Sequence, residues 1–135
     1  MGYPEATQIL FAAGDPAQPG GGTIRDQAVH ESAPILFPPQ HNYLKLTILL
    51  ENELDEPVDV KLYGKTEDAA DQWHQLGSTV AMPAQIGPGD PSLDEMDEIT
   101  LTDWWRELKL TVQANNGADP TDGDFDSQLM PVMES

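Results

Sequence analysis

At 135 residues the chain has the common size of a single domain, large enough to bury roughly 70% of the surface its unfolded form exposes. Asp and Glu number 24 against 6 Lys and Arg, a formal net charge of −18, and there is no cysteine. The acid excess argues against nucleic acid or an anionic membrane as partner, because phosphate-binding surfaces need cations in excess, and the lack of cysteine excludes disulfides and thiolate chemistry.

Thr7 to Ala13 is a short apolar run that reads as a first strand. Gly14 to Gly22 (GDPAQPGGG) resists regular structure, since its prolines remove donors and its glycines cost entropy to order. Val29 to Phe37 reads as a further strand ending at Pro38-Pro39, so residues 1–42 are expected to form an extended N-terminal arm with one or two strands. In Tyr43 to Glu51 the residues Leu44, Leu46, Ile48 and Leu50 alternate with their neighbours, the period of a strand with one buried face. Asn52 to Pro57 supplies turn chemistry, and Val58, Val60 and Leu62 resume the alternation. The two segments read as an antiparallel hairpin.

Glu67 to Gln75 is expected to form a helical turn before Trp73 packs down, and Leu76 to Met82 a weaker strand. Pro83 to Glu95 is a loop broken by proline and glycine. Glu98 to Thr102, Leu108 to Ala114 and Phe125 to Met133 then read as strands, with a turn-rich connection at Asn115 to Gly123. About seven to nine short strands with no sustained helical period predict an all-β fold. The expected architecture is an antiparallel β-sandwich of jelly-roll type over residues 43–135.

The acids run from Glu5 to Glu134 instead of forming one block. At about 1 M salt the Debye length is roughly 3 Å, so the self-repulsion of such a surface largely disappears. The composition therefore fits a high-salt environment, with an ordinary acidic protein as the alternative. No apolar run approaches the roughly 18 residues of a membrane helix, and Met1 to Ala13 lacks the basic start of a signal peptide.

Gly64-Lys65-Thr66 imitates the end of a phosphate loop, but Asp59 stands where that pattern needs glycine. His30, His41 and His74 are scattered without metal-ligand spacing. Asp119, Asp122, Asp124 and Asp126 place four carboxylates around Gly123, hard oxygen ligands for calcium or another cation, although the spacing is not that of an EF-hand and a solvated acidic turn is the alternative. Trp73, Trp104 and Trp105 offer a sugar-stacking platform or, alternatively, core and interface packing. Lys45, Lys61 and Lys109 take outward positions on the three clearest strands, a basic stripe if those strands neighbour one another. Together with Ile9, Leu10, Phe11 and Trp104 they are the candidate interface residues. No catalytic constellation and no cofactor motif is present in the sequence, so no enzyme is expected.

The segment from Tyr43 to Glu134 comprises the paired strands, a tryptophan, a Pro/Gly loop, Trp105-Arg-Glu-Leu-Lys-Leu-Thr-Val112 and the turn Pro120-Thr-Asp-Gly123. It resembles the small β-sandwich accessory proteins of tailed-virus particles, and its acidity resembles their haloarchaeal branch. The resemblance covers about two thirds of the chain. It implies a virion structural protein, a capsid decoration or turret subunit or else a tail component. Such a protein forms homo-oligomers and contacts other virion proteins such as the major capsid protein. A carbohydrate- or ligand-binding β-sandwich module from a halophile is the alternative.

Overall fold

The computed structural model describes residues 8–11, 23–32, 34–36, 43–66, 73–84, 95–101 and 105–133. Among these residues nine strands follow in chain order: β1 (Gln8–Phe11), β2 (His30–Glu31), β3 (Ile35–Leu36), β4 (Tyr43–Asn52), β5 (Val58–Lys65), β6 (His74–Met82), β7 (Glu95–Leu101), β8 (Glu107–Ala114) and β9 (Phe125–Met133). There is no helix among the described residues. The helical turn expected before Gln75 lies mostly in 67–72, outside them, and Gln75 itself belongs to β6.

The strands form two antiparallel sheets, ordered β1-β9-β4-β7 and β2-β8-β5-β6, with β3 also on β8. Their alternation decides which side chains meet. Leu46, Ile48 and Leu50 of β4 and Leu129 of β9 face Val58, Val60 and Leu62 of β5 and Leu108, Leu110 and Val112 of β8, all at most 2% exposed. Each such aliphatic side chain contributes about 1.5–3 kcal/mol by leaving water. One shared core between two sheets is the architecture of a sandwich.

The expected hairpin of β4 with β5 does not form. β4 pairs with β7 and β9, whereas β5 pairs with β6 and β8. Residues 53–57 instead carry the chain across the core from one sheet to the other. Leu54 plugs into the core with no exposure. The buried Asn52 holds the crossing by donating to the Glu56 and Pro83 carbonyls at 3.3 and 3.0 Å and accepting from the Leu54 N–H at 3.2 Å.

The described part of residues 1–42 is built into both sheets. β1 pairs with β9 on one sheet edge, while β2 and β3 cover β8 on the other sheet. Ser32, between β2 and β3, keeps the ladder closed: its N–H donates to the Leu110 carbonyl and its hydroxyl accepts from the Leu110 N–H, both at 2.9 Å. Ile24 is fully buried in the core. Pro131 sits beyond the overlap with β1, where β9 has β4 as its described neighbour, a position that tolerates a missing N–H.

β6 was weak in sequence for a structural reason. Val60 pairs with Val80 but Leu62 pairs with Leu76, so residues 77–79 bulge out of the edge, with Gly77 at φ +71°. Gly64, facing inward on β5, has no side chain where the Trp105 ring and Leu76 pack. A Cβ there would lie 2.9 Å from each, which is why this strand accepts glycine.

Candidate functional site

The acidic turn is a knot of hydrogen bonds. Asp124 Oδ1 accepts from the Thr23 hydroxyl at 2.7 Å, Asp119 Oδ1 from Gln27 at 3.2 Å, and Asp122 Oδ1 from the Gly123 N–H at 2.8 Å. The Glu53 N–H donates to the Asp124 carbonyl at 2.8 Å and the Asp55 N–H to the Asp122 carbonyl at 3.2 Å, fastening the turn to the crossover 53–57. Arg25 adds a bond to the Gly123 carbonyl at 2.8 Å. Asp119, Asp122 and Asp124 thus serve the turn itself. Asp126, on β9, joins a different group, in which Glu51, Glu53 and Asp126 each bring an oxygen within 4.8 Å of the others. The four carboxylates singled out by sequence therefore do not gather around one point. Glu51 and Glu53 were missed because their nearness to Asp126 arises from the pairing of β4 with β9, across most of the chain length.

Asp55 organises the far side of the same knot. Its carboxylate accepts from the Thr121 hydroxyl and N–H and from the Asp122 N–H. Burial would raise its pKa, but these three donors, together with the residue's own N–H, outweigh it and hold the carboxyl below the usual carboxylate range. A depressed folded pKa stabilises the fold above the ordinary carboxylate pKa, and that contribution is lost as pH falls through the folded value. The Asp55→Asn variant is expected to lose about 1–3 kcal/mol at pH 7, the usual worth of hydrogen bonds to a charged acceptor. The loss should shrink on acidification below the ordinary carboxylate pKa. Urea melts at pH 7 and near pH 3 would check this, and an equal loss at both would contradict the role of the ionised group. Asp26 is held low in the same direction, first by its hydrogen bond with His30 at 2.7 Å and then by the Ala28 N–H.

The outer face of the β5–β8 sheet is chemically different. β5 turns Asp59, Lys61, Tyr63 and Lys65 outward, and β8 sets Gln113, Thr111, Lys109 and Glu107 opposite them. Lys65 pairs with Glu107 at 3.0 Å with side chains only 9% and 17% exposed, and Lys109 pairs with Glu31 of β2 at 2.6 Å. Both ammonium groups lie over the Trp73 ring, 4.9 and 4.5 Å from its centroid. Contacts of this kind contribute about 0.5–2 kcal/mol each, more as water is excluded. Trp73 therefore acts as a cover over two ion pairs, and the cations take up ring surface that a sugar would need. Removing Glu107 or Lys65 would strand the other charge in a poorly hydrated site.

The expected basic stripe is corrected in one member. Lys61 and Lys109 lie on neighbouring strands, but Lys45 is on β4 of the other sheet, with its side chain outside those described. Lys65 takes its place. Alternation from Lys61 points to it, although the imitation of a phosphate loop by Gly64-Lys65-Thr66 obscures that reading; the segment is plain strand. Trp105 packs against the core, while Trp104 and His41 lie outside the described residues. Ile9, Leu10 and Phe11 belong to β1, whose main chain is paired with β9 of the same molecule; their side chains lie outside those described. His74 is exposed on β6.

No helix among the described residues is long and apolar enough to cross a membrane. No family model matches the chain, and no curated protein matches its sequence.

Proposed function

We propose that this domain is a non-enzymatic assembly module, a virion structural protein of the decoration or turret class from a high-salt environment. The observation that carries the reading is the division of its surface. A chain of net charge −18 keeps one sheet face on which, among the described residues, three lysines (Lys61, Lys65 and Lys109) meet three carboxylates (Glu31, Asp59 and Glu107). A charge-balanced, partly aromatic face on an otherwise acidic molecule is suited to contact with protein.

The strand order supports the same reading. The first and last strands pair, and β1-β9-β4-β7 lies against β2-β8-β5-β6 with β3 extending β2's position on β8. Counting β2 and β3 as one position gives eight, with the chain passing repeatedly between sheets, which we read as a jelly roll. The positions of Trp73 and Trp105, one under two lysines and one against the core, favour assembly over a sugar-binding module.

The test is binding in high salt. The purified domain should co-sediment with shells assembled from a tailed-virus major capsid protein of a high-salt environment, and should ignore a glycan array. Binding to glycans by the isolated subunit, with no association with shells, would overturn the proposal.

A further inference from the structure

We infer that two copies of this chain meet through the outer face of the β5–β8 sheet, about a two-fold axis that crosses β5 at the level of Val60. The inference rests on the assembly reading and names the partner and the contact.

Two molecules that each carry −18 repel one another wherever their acidic surfaces meet. The β5–β8 face lowers that penalty, because among its described residues three lysines meet three carboxylates. On its flank β6, His74–Met82, carries no Asp, Glu, Lys or Arg.

Lys61 supplies the second observation. Of the five cationic side chains described, Arg25, Lys65, Arg106 and Lys109 all have partners, and Lys61 alone has none among the described residues. A half-buried lysine at the middle of the central strand with no partner among the described residues is out of keeping with a chain that has four acids for every base. Asp59 stands two residues away on the same face; among the described residues it makes no ion pair and accepts from the Asn115 side chain at 3.2 Å. Outward residues two apart on a strand are separated by roughly 6.6 Å. A two-fold axis lying in the contact plane at Val60 sends one position onto the other, so Lys61 faces Asp59 of the second copy, and Asp59 faces its Lys61. One contact made twice is the mark of an isologous interface, the commonest arrangement of soluble dimers. Tyr63 and Trp73 flank the two pairs as the aromatic surface that buried contacts favour. Charge pairs closed off from water are screened far less by salt than spread surface charge, so the contact survives in brine.

The experiment is sedimentation velocity in about 1 M KCl, where surface repulsion is largely screened. The parent chain is expected to dimerise. Lys61→Glu and Asp59→Lys should each weaken the dimer at least about tenfold, because each places like charges face to face twice. The double variant Asp59→Lys/Lys61→Glu should return dimerisation close to the parent, since the pairs are restored in reverse. Circular dichroism confirms folding, and both sites are on a solvent-facing surface. A dimer indifferent to the single swaps, or a double variant that stays as weak as the singles, overturns the proposed contact. A monomeric parent overturns it too, while co-sedimentation with shells separately decides the assembly reading.

Discussion

Replacing Gly123 with alanine is expected to destabilise the domain by about 3–5 kcal/mol, at the upper end of single-substitution effects. Two costs combine. Gly123 has φ +83°, a region that L side chains enter at a cost of about 1–2 kcal/mol. A Cβ at this position would also be driven into the Glu53 carbonyl, with the Leu54 Cα only 3.0 Å away. These are main-chain atoms of the crossover and cannot swing aside as a flexible side chain would. Relief requires the turn to move off the crossover, breaking the bonds from Glu53 and Asp55 to the Asp124 and Asp122 carbonyls. Leu54, fully buried one residue along, would be pulled with it. Gly117→Ala separates the two costs. Gly117 has a similar φ of +82° but open space around its Cα, so alanine there should cost only the conformational term, about 1–2 kcal/mol. Chemical denaturation of both variants in the same salt checks the expectation, and equal losses would show that the approach to Glu53 is not what the turn depends on.

The strands with one fully buried face were legible because burial imposes a period of two. Leu46 to Leu50, Val58 to Leu62 and Leu108 to Ala114 all show it, and Phe125 to Met133 follows the turn chemistry of Asn115 to Gly123. What the period cannot convey is which strand lies alongside. β4 and β5 looked like a hairpin because a short polar turn joins them, yet Leu54 inside that turn is a core residue and draws the chain across to the other sheet. Short pieces such as β2 and β3 have too few residues to establish a period, and their place depends on Ser32 closing onto Leu110. Candidate sites followed the same rule. Lys61 and Lys109 were readable as outward, but the cover of Trp73 over Lys65 and Lys109 depends on three separate strands or strand ends converging. The Glu51, Glu53 and Asp126 group depends on the β4–β9 register, and no local pattern announces it.

Stability should rise steeply as KCl is raised from about 0.1 to 1 M, across which the Debye length falls from roughly 10 to 3 Å. The formal charge of −18 is the cause. Spread over a globule of this size, whose radius of gyration is roughly 14 Å, it represents a repulsion that the expanded chain largely avoids. Treating both states as screened charged spheres gives a gain on the order of 5 kcal/mol for the folded state over that range. A gain of that size corresponds to a melting temperature higher by about 10 °C or more. The ion pairs seen here oppose the trend only weakly. Lys65 with Glu107 is mostly withdrawn from solvent and feels salt little, and Lys109 with Glu31 is partly exposed and contributes at most about 1 kcal/mol. With 24 acids against 6 bases, screening the acid excess therefore wins over screening these pairs. Potassium and sodium chloride should act alike if general screening is responsible, whereas a sharp difference between them would point to ions held at defined carboxylates. Thermal melts followed by circular dichroism decide the matter, and a melting temperature that stays level over the whole range would refute adaptation of this surface to brine.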